Sequence, residues 1–329
     1  MDIQQGLSVL NEEQYAAVVH EGSPLLILAG AGSGKTRVIT TKIAYLINQK
    51  NVEPYSILSV TFTKKAANEM RQRAVAMEER AQSSVIRTFH SFGSWFLRKF
   101  SQEVGLIPSF TVYDDSDMEV LLKKAVPSLS SKEAKLAAHQ ISLAKDYFLT
   151  PEDDLTLLGS EFDINQIYFE YEKRLRATGN VDFGDLIMKP AQIMEQYQDI
   201  ENYIHNRFKV VMVDEYQDTN DLQNMLFYVL SGFDKRLFAV GDVKQSIYGF
   251  RGANPKNFAS KKNRYISIDE SKEDDPKKII LGNNFRCKDK VCDFINFFFE
   301  RFMTAETGNI AYTEDGNGVI CGHSVYYTD

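Results

Sequence analysis

The sequence has 329 residues, a formal net charge of −7, and 43% apolar, 25% charged and 12% aromatic side chains. That length suits two domains, each with its own core; no apolar run approaches the roughly 18 residues of a membrane span, and the N-terminus has neither the basic nor the apolar region of a signal peptide, so a cytoplasmic protein without a membrane partner is expected. The acidic balance argues against a chain that coats nucleic acid over its whole surface but not against a local groove, and Cys287, Cys292 and Cys321 lack the CxxC spacing of a metal or redox site.

The first strong signal is the apolar run Leu25 to Ala29, followed by a glycine-rich turn and by Lys35 to Asn48, where Val38, Ile39, Ile43, Leu46 and Ile47 fall at helical spacing. This predicts strand, loop, helix. The pattern recurs with Ile57–Thr61 before 66–81, Val210–Val213 before 222–230, and Leu237–Val240 before a Gly-Phe-Arg-Gly turn. Continuous apolar strands alternating with helices predict a parallel sheet covered on both faces. From 91 to 208 the strand signal fades into periodic helix formers, which predicts a helical insertion. A new cycle is expected from 277, with a strand at Ile279-Ile280-Leu281, a helix from Lys288 to Phe302 and short β-like runs near Val319 and Val325.

Ala29-Gly30-Ala31-Gly32-Ser33-Gly34-Lys35-Thr36 fits the phosphate-loop pattern GxxxxGK[ST], with Ala29 where the first glycine is expected. Glycines let backbone amides turn inward as an anion nest at a helix N-terminus. Lys35 would reach the β and γ phosphates of ATP, and the Thr36 hydroxyl would hold Mg²⁺. The strand at 210–213 delivers Asp214 and Glu215 to its carboxyl end, where ligands of open α/β sheets sit. Asp214 can hold the metal through its hydration shell, and Glu215 can orient and deprotonate the attacking water.

Asp214 to Asn220, Asp-Glu-Tyr-Gln-Asp-Thr-Asn, resembles the DExQDT motif of superfamily 1 helicases of the UvrD/Rep/RecB type. Other segments match this group in order: Leu10 to Gln14, Thr61 to Ala67, Thr88 to Phe92, Val181 to Leu186 (a DFxDL element), Gly241 to Ala253, and Asn284-Phe285-Arg286. The wording of the last two is similar to the AddA/RecB branch. Phe250 and Phe285 stand where many relatives have tryptophan and tyrosine, which keeps an aromatic face.

The resemblance implies a RecA-like P-loop NTPase sheet domain (1–90 and 209–276), a helical insertion (91–208) and an incomplete second RecA-like domain (277–329). It implies a DNA-stimulated ATPase, a helicase or 3′ to 5′ translocase of DNA repair or recombination, with ATP and Mg²⁺ as cofactors. Single-stranded DNA and single-strand/duplex junctions are the expected partners. A nuclease or recombination subunit is a further expected partner if the chain serves in a RecB/AddA-type helicase-nuclease. An ATP-switched DNA-binding module without processive motion is the rival from another class. The later motifs of the group are not found, so feeble hydrolysis and no unwinding are expected of this chain alone.

By the same resemblance, Gln14 would read adenine, and Arg37 with Phe285 would stack on it. Gln245 would sense the γ phosphate. Arg251 and Arg286 would neutralise transition-state charge, Arg286 as a finger from the second domain. DNA would meet Phe62, Thr63, Lys65, His90, Phe183, Asp185, Tyr248 and Phe250, with Lys64, Arg71 and Arg73 adding positive charge.

Overall fold

The computed structural model describes residues 2–159, 162–249, 252–304, 312 and 318–322. Phe250 and Arg251 lie outside the described residues, as does the β-like run expected near Val325. The chain forms two compact units, one of residues 1–88, 205–219 and 231–329, the other of 89–204 and 220–230.

In chain order the first unit opens with α1 (Ile3–Ser8), α2 (Glu12–Val19), β1 (Leu25–Ala29), α3 (Lys35–Asn48), β2 (Ile57–Thr61), α4 (Lys64–Met77) and β3 (Val85–Thr88). The second contains α5 (Phe89–Lys99), β4 (Val112–Tyr113), α6 (Asp115–Ala125), α7 (Ser131–Asp146), α8 (Ile164–Ala177), β5 (Val181–Asp182) and α9 (Asp185–Gln196). Within α10 (Gln198–Arg207) the chain returns to the first unit, which adds β6 (Val210–Val213); α11 (Asp221–Leu230) belongs to the second. The rest is β7 (Leu237–Gly241), α12 (Pro255–Arg264), β8 (Ile266–Ser267), β9 (Lys277–Leu281), β10 (Asn283–Asn284), α13 (Asp289–Phe302) and β11 (Ile320–Cys321).

The first unit is built on a seven-stranded sheet of order β3-β2-β6-β7-β1-β9-β8, parallel at every pairing. Its inner strands are largely buried along their length, as in a parallel sheet covered on both faces: Leu25, Leu26 and Ile27 of β1 are buried, and so is all of β2, Ser59 and Thr61 included. Val38, Ile39, Ile43, Leu46 and Ile47 of α3 join Leu25, Ile27, Met212, Phe238 and Val240 in one core. Since all strands run the same way, their carboxyl ends share one edge, where β1, β2, β6 and β7 release the segments expected to be functional.

The strand at 277–281 does not open a separate domain: β9 pairs with β1, Ile27 opposite Ile279 and Ala29 opposite Leu281, and both apolar side chains join the core above. The helix at 221–230, expected with the sheet domain, belongs to the helical unit, where α11 packs with α9 and sets Phe227 edge-on against Phe89 at 4.9 Å. β3 and β8 add edge strands that Val85-Ile86-Arg87-Thr88 and Ile266-Ser267 are too short and too polar to announce. Arg71, expected as DNA-facing charge, donates instead to the Ser84 and Ile86 carbonyls at 3.2 and 2.6 Å, fastening α4 to β3.

The second unit is mostly helical. Leu121, Leu122, Ala137, Ile141, Tyr168 and Tyr171 form a core of α6, α7 and α8. Where α5 crosses α9, Gly93 meets the backbone so closely that a Cβ there would lie 1.6 Å from the Leu186 carbonyl oxygen. Backbone cannot give way as a flexible side chain can. Gly93→Ala should therefore destabilise this unit by at least about 2 kcal/mol through overpacking. Urea unfolding followed by helical circular dichroism checks it, and an unchanged midpoint would refute the close crossing.

Candidate nucleotide site

β1 ends in Ala29, extended like any strand residue, so no glycine is required there. The turn then needs left-handed backbone at Gly32 (φ 75°) and Gly34 (φ 87°), which glycine adopts without a Cβ penalty. α3 starts at Lys35 with no side-chain cap, whereas Asn11 caps α2 and Thr63 caps α4. Its first amides thus face the loop without a built-in acceptor, the arrangement that favours an anion. Thr36 and Arg37 follow on the first turn, Thr36 half-buried and Arg37 exposed.

The Lys35 ammonium donates to Glu215 Oε2 at 2.8 Å and to Gln245 Oε1 at 3.3 Å. Three expected residues from the ends of β1, β6 and β7 are thereby brought together. The carboxylate and amide oxygen hold the lysine as phosphate oxygens would, so the donor set fits a polyphosphate.

Glu215 is held with unusual backbone for a non-glycine residue, φ 52° and ψ 44°. Such left-handed conformations cost energy and persist where the surroundings fix them. Here Asp214 Oδ1 accepts the Glu215 N–H at 3.0 Å. Asp214 itself is 5% exposed, and burial first, then the charge of Glu215, pushes its carboxyl up to about 6. A buried acid that ionises reluctantly is what a bound cation would relieve. Asp218 is likewise raised to about 6, by burial and by Glu215.

Three further residues complete the site. Gln217 donates to Glu215 Oε2 at 2.9 Å while its own oxygen accepts the Asp242 N–H at 3.0 Å, tying the ends of β6 and β7. Only glycine suits position 241, since a Cβ would lie 2.5 Å from that Gln217 oxygen. Asp242 Oδ2 accepts the Gln245 amide at 2.7 Å, aiming its oxygen at Lys35. Asn284 donates to the Ala31 carbonyl at 2.7 Å, and the Phe285 N–H reaches the Gly32 carbonyl at 2.9 Å. A cavity of about 360 Å³ beside the loop is lined by Gly30, Ser33, Asp242, Gln245 and Asn284 together with the apolar Ile295 and Phe299.

Some expected roles are not assembled as expected. Gln14 is 1% exposed, its oxygen accepting the Asn11 N–H at 3.2 Å and its nitrogen donating to the Ser33 carbonyl at 2.8 Å. Its amide thus braces the loop, where it was expected to read adenine. Arg286 is exposed on a loop whose neighbours Asn284 and Phe285 bond to the phosphate loop of the same unit. The Phe285 ring lies against Gly322, where a Cβ would be 2.6 Å from it.

Of the expected DNA contacts, Phe62 is half-buried and Thr63 and Lys65 are exposed after β2, with the Thr63 hydroxyl accepting the Ala66 N–H. Tyr248 is 39% exposed in the segment after β7. In the helical unit Phe183 is 50% exposed and meets His90 edge-on at 5.5 Å. Asp185 is a correction: it is 1% exposed and bonded to Lys145 at 2.8 Å, so its carboxylate faces the interior and not a DNA strand.

Among the described residues no helix is long and apolar enough to cross a membrane. Residues 10–266 match the family model described as the UvrD/REP helicase N-terminal domain. The chain is similar to the ATP-dependent DNA helicase PcrA of Leuconostoc citreum, 34% identical over 326 residues, 97% of this chain and 42% of that protein. It is also similar to the ATP-dependent DNA helicase UvrD1 of Mycobacterium tuberculosis (38% over 315 residues, 90% of this chain and 40% of that protein). PcrA of Staphylococcus aureus is 36% identical over 298 residues, 88% and 40% of the two chains. The chain thus spans about two fifths of the length of these relatives. With a family-model match over residues 10–266, and with Lys35, Glu215 and Gln245 gathered at one sheet edge, the chain belongs to the UvrD/REP helicase N-terminal domain family.

Proposed function

We propose that this chain binds and hydrolyses ATP as the nucleotide-binding part of a motor that moves along single-stranded DNA in the 3′ to 5′ direction, the polarity resting on the resemblance alone. The observation that carries this reading is the Lys35 ammonium held between Glu215 and Gln245, one residue for binding, one for water activation and one for relay. The loop amides and Lys35 bind the phosphates, and Arg286, on a loop bonded to that loop, adds positive charge. Thr36 and Asp214 would supply oxygen donors for Mg²⁺, which would offset negative charge on the phosphates. Glu215 takes the proton of the attacking water.

Gln245 changes partner when a phosphate displaces it from Lys35, and it lies three residues before Tyr248, so nucleotide state is passed to a DNA-facing aromatic along a short segment. Phe62, Thr63, Lys65 and Tyr248 are the DNA contacts of the sheet unit, and His90 and Phe183 those of the helical unit. Aromatic faces with scattered positive charge suit single strands read without sequence preference.

Titration with a fluorescent ATP analogue, with and without Mg²⁺, and ATP turnover with and without oligothymidylate test the proposal together. Magnesium-dependent binding and turnover that rises with the oligonucleotide are expected. Turnover indifferent to DNA would favour the ATP-switched binding module instead.

A further inference from the structure

The helical unit buries a cluster of charges that the nucleotide site does not use. Lys145, near the end of α7, is 1% exposed, and its ammonium lies 2.6 Å from Asp182 Oδ2, 2.8 Å from Asp185 Oδ1 and 2.7 Å from Glu172 Oε1. The Tyr171 hydroxyl donates to the same Asp182 oxygen at 2.9 Å, and Asp182 Oδ1 accepts the Asp185 N–H at 2.9 Å. Lys189 stands 3.5 Å from Asp185. The three carboxylates are close enough together to suit a metal ion, and the lysine ammonium takes that place. Burial alone would depress the ammonium, but Asp182, Asp185 and Glu172 together outweigh it and hold Lys145 charged.

Buried ion groups are poor sources of stability, because the cost of removing charges from water offsets their attraction. Their geometry is more informative than their energy. The two aspartates flank Phe183-Gly184, and both point inward to one lysine. Gly184 lets the lysine stem pass, since a Cβ there would lie 2.7 Å from Lys145 Cδ. Phe183 is the member of the turn that faces solvent, braced edge-on by His90. Burial keeps the His90 imidazole below its ordinary pKa, hence neutral near pH 7, so the pair presents an uncharged aromatic edge.

We propose that Lys145 is a positioning residue for single-stranded DNA: by fastening Asp182 and Asp185 it holds the Phe183 ring outward beside His90 as a stacking face for a base. The inference rests on the DNA-motor reading above. Two physical effects follow from the fastening. A ring fixed before binding loses less conformational freedom on stacking. Two carboxylates beside that ring, which would repel the phosphates of a strand, are turned away and partly offset by the Lys145 ammonium.

The test is an anisotropy titration of the 329-residue chain with fluorescein-labelled oligothymidylate, with a thermal melt for each variant. Phe183→Ala should weaken binding roughly tenfold, the scale of one base-aromatic stack. Lys145→Met should weaken it comparably, but it strands buried carboxylates and can fail to fold. Tyr171→Phe is therefore the decisive variant: it removes one hydrogen bond to Asp182, leaves the ring packing, and should weaken binding about threefold. In a Phe183→Ala background Tyr171→Phe should change the DNA affinity no further, a coupling that general loss of stability does not produce. Unchanged affinity for Tyr171→Phe with a lowered melting temperature, or an undiminished effect in the double variant, overturns the proposal. A wild-type chain that binds no oligothymidylate overturns both this inference and the DNA-motor reading. Binding that is normal in Phe183→Ala overturns this inference alone.

Discussion

Lys35→Ala should lower ATP turnover by at least about 10²-fold and weaken nucleotide binding while leaving the melting temperature within a degree or two of wild type. The kinetic estimate follows from removing a charged donor aimed at the transferred phosphoryl group, in a site where even one neutral donor is worth that much. The stability estimate follows from what Lys35 holds in the nucleotide-free chain. Its pair with Glu215 leaves the glutamate side chain 37% exposed, and partly solvated ion pairs contribute little. The fold around it does not depend on the ammonium, because Gln14, Ser33 and Asn284 tie the loop through its carbonyls. Turnover and thermal melting are measured on the same preparation. Wild-type turnover would remove the phosphate-loop assignment, and a melt lowered by many degrees would make Lys35 a structural residue.

Legibility in the sequence divides along the range of the interactions. β1, the loop and α3 were readable because an apolar run, glycines and a 3.6-residue period are adjacent in the chain. Asp214 and Glu215 were readable because a strand end is a local feature that predicts its own position at the sheet edge. β9 was readable as a strand, from Ile279-Ile280-Leu281, but its partner was not: pairing with β1 joins segments some 250 residues apart, and nothing in three apolar residues names the neighbour.

The same distinction explains the site. DFxDL looks like a single surface motif, yet its two aspartates point to Lys145, 37 and 40 residues earlier, and only Phe183 faces out. An Asp-x-x-Asp pair flanking a turn reads equally as a solvated loop or a buried box, and the choice depends on a cation elsewhere in the chain. Gln14 did carry a local signal. Asn11 and Gln14 have the spacing of a capping box, which already commits the glutamine oxygen to the Asn11 N–H. That pattern favours a brace at the start of α2 over a free amide awaiting adenine.

Glu215→Gln should separate binding from chemistry. Glutamine keeps the size of the side chain and its hydrogen bond with Gln217, but it cannot accept the proton of the attacking water, and loss of a positioned base costs about 10² to 10⁴ in rate. Binding should move the other way. In the nucleotide-free chain the Glu215 carboxylate holds the Lys35 ammonium at 2.8 Å, so phosphate oxygens must compete with a charged acceptor for the same donor. A neutral amide is a weaker competitor, because hydrogen bonds to ionised groups are roughly twice as strong as neutral ones. The variant should therefore bind ATP at least as tightly as wild type. Removing the charge next to Asp214 also takes away one of the two causes that raise its carboxyl, leaving burial, so Asp214 should ionise more readily and meet a cation at lower pH. Single-turnover hydrolysis beside a fluorescent-nucleotide titration tests both halves. Retained turnover would show that Glu215 is not the base, and lost binding would show that its charge organises the loop instead of competing with the nucleotide for Lys35.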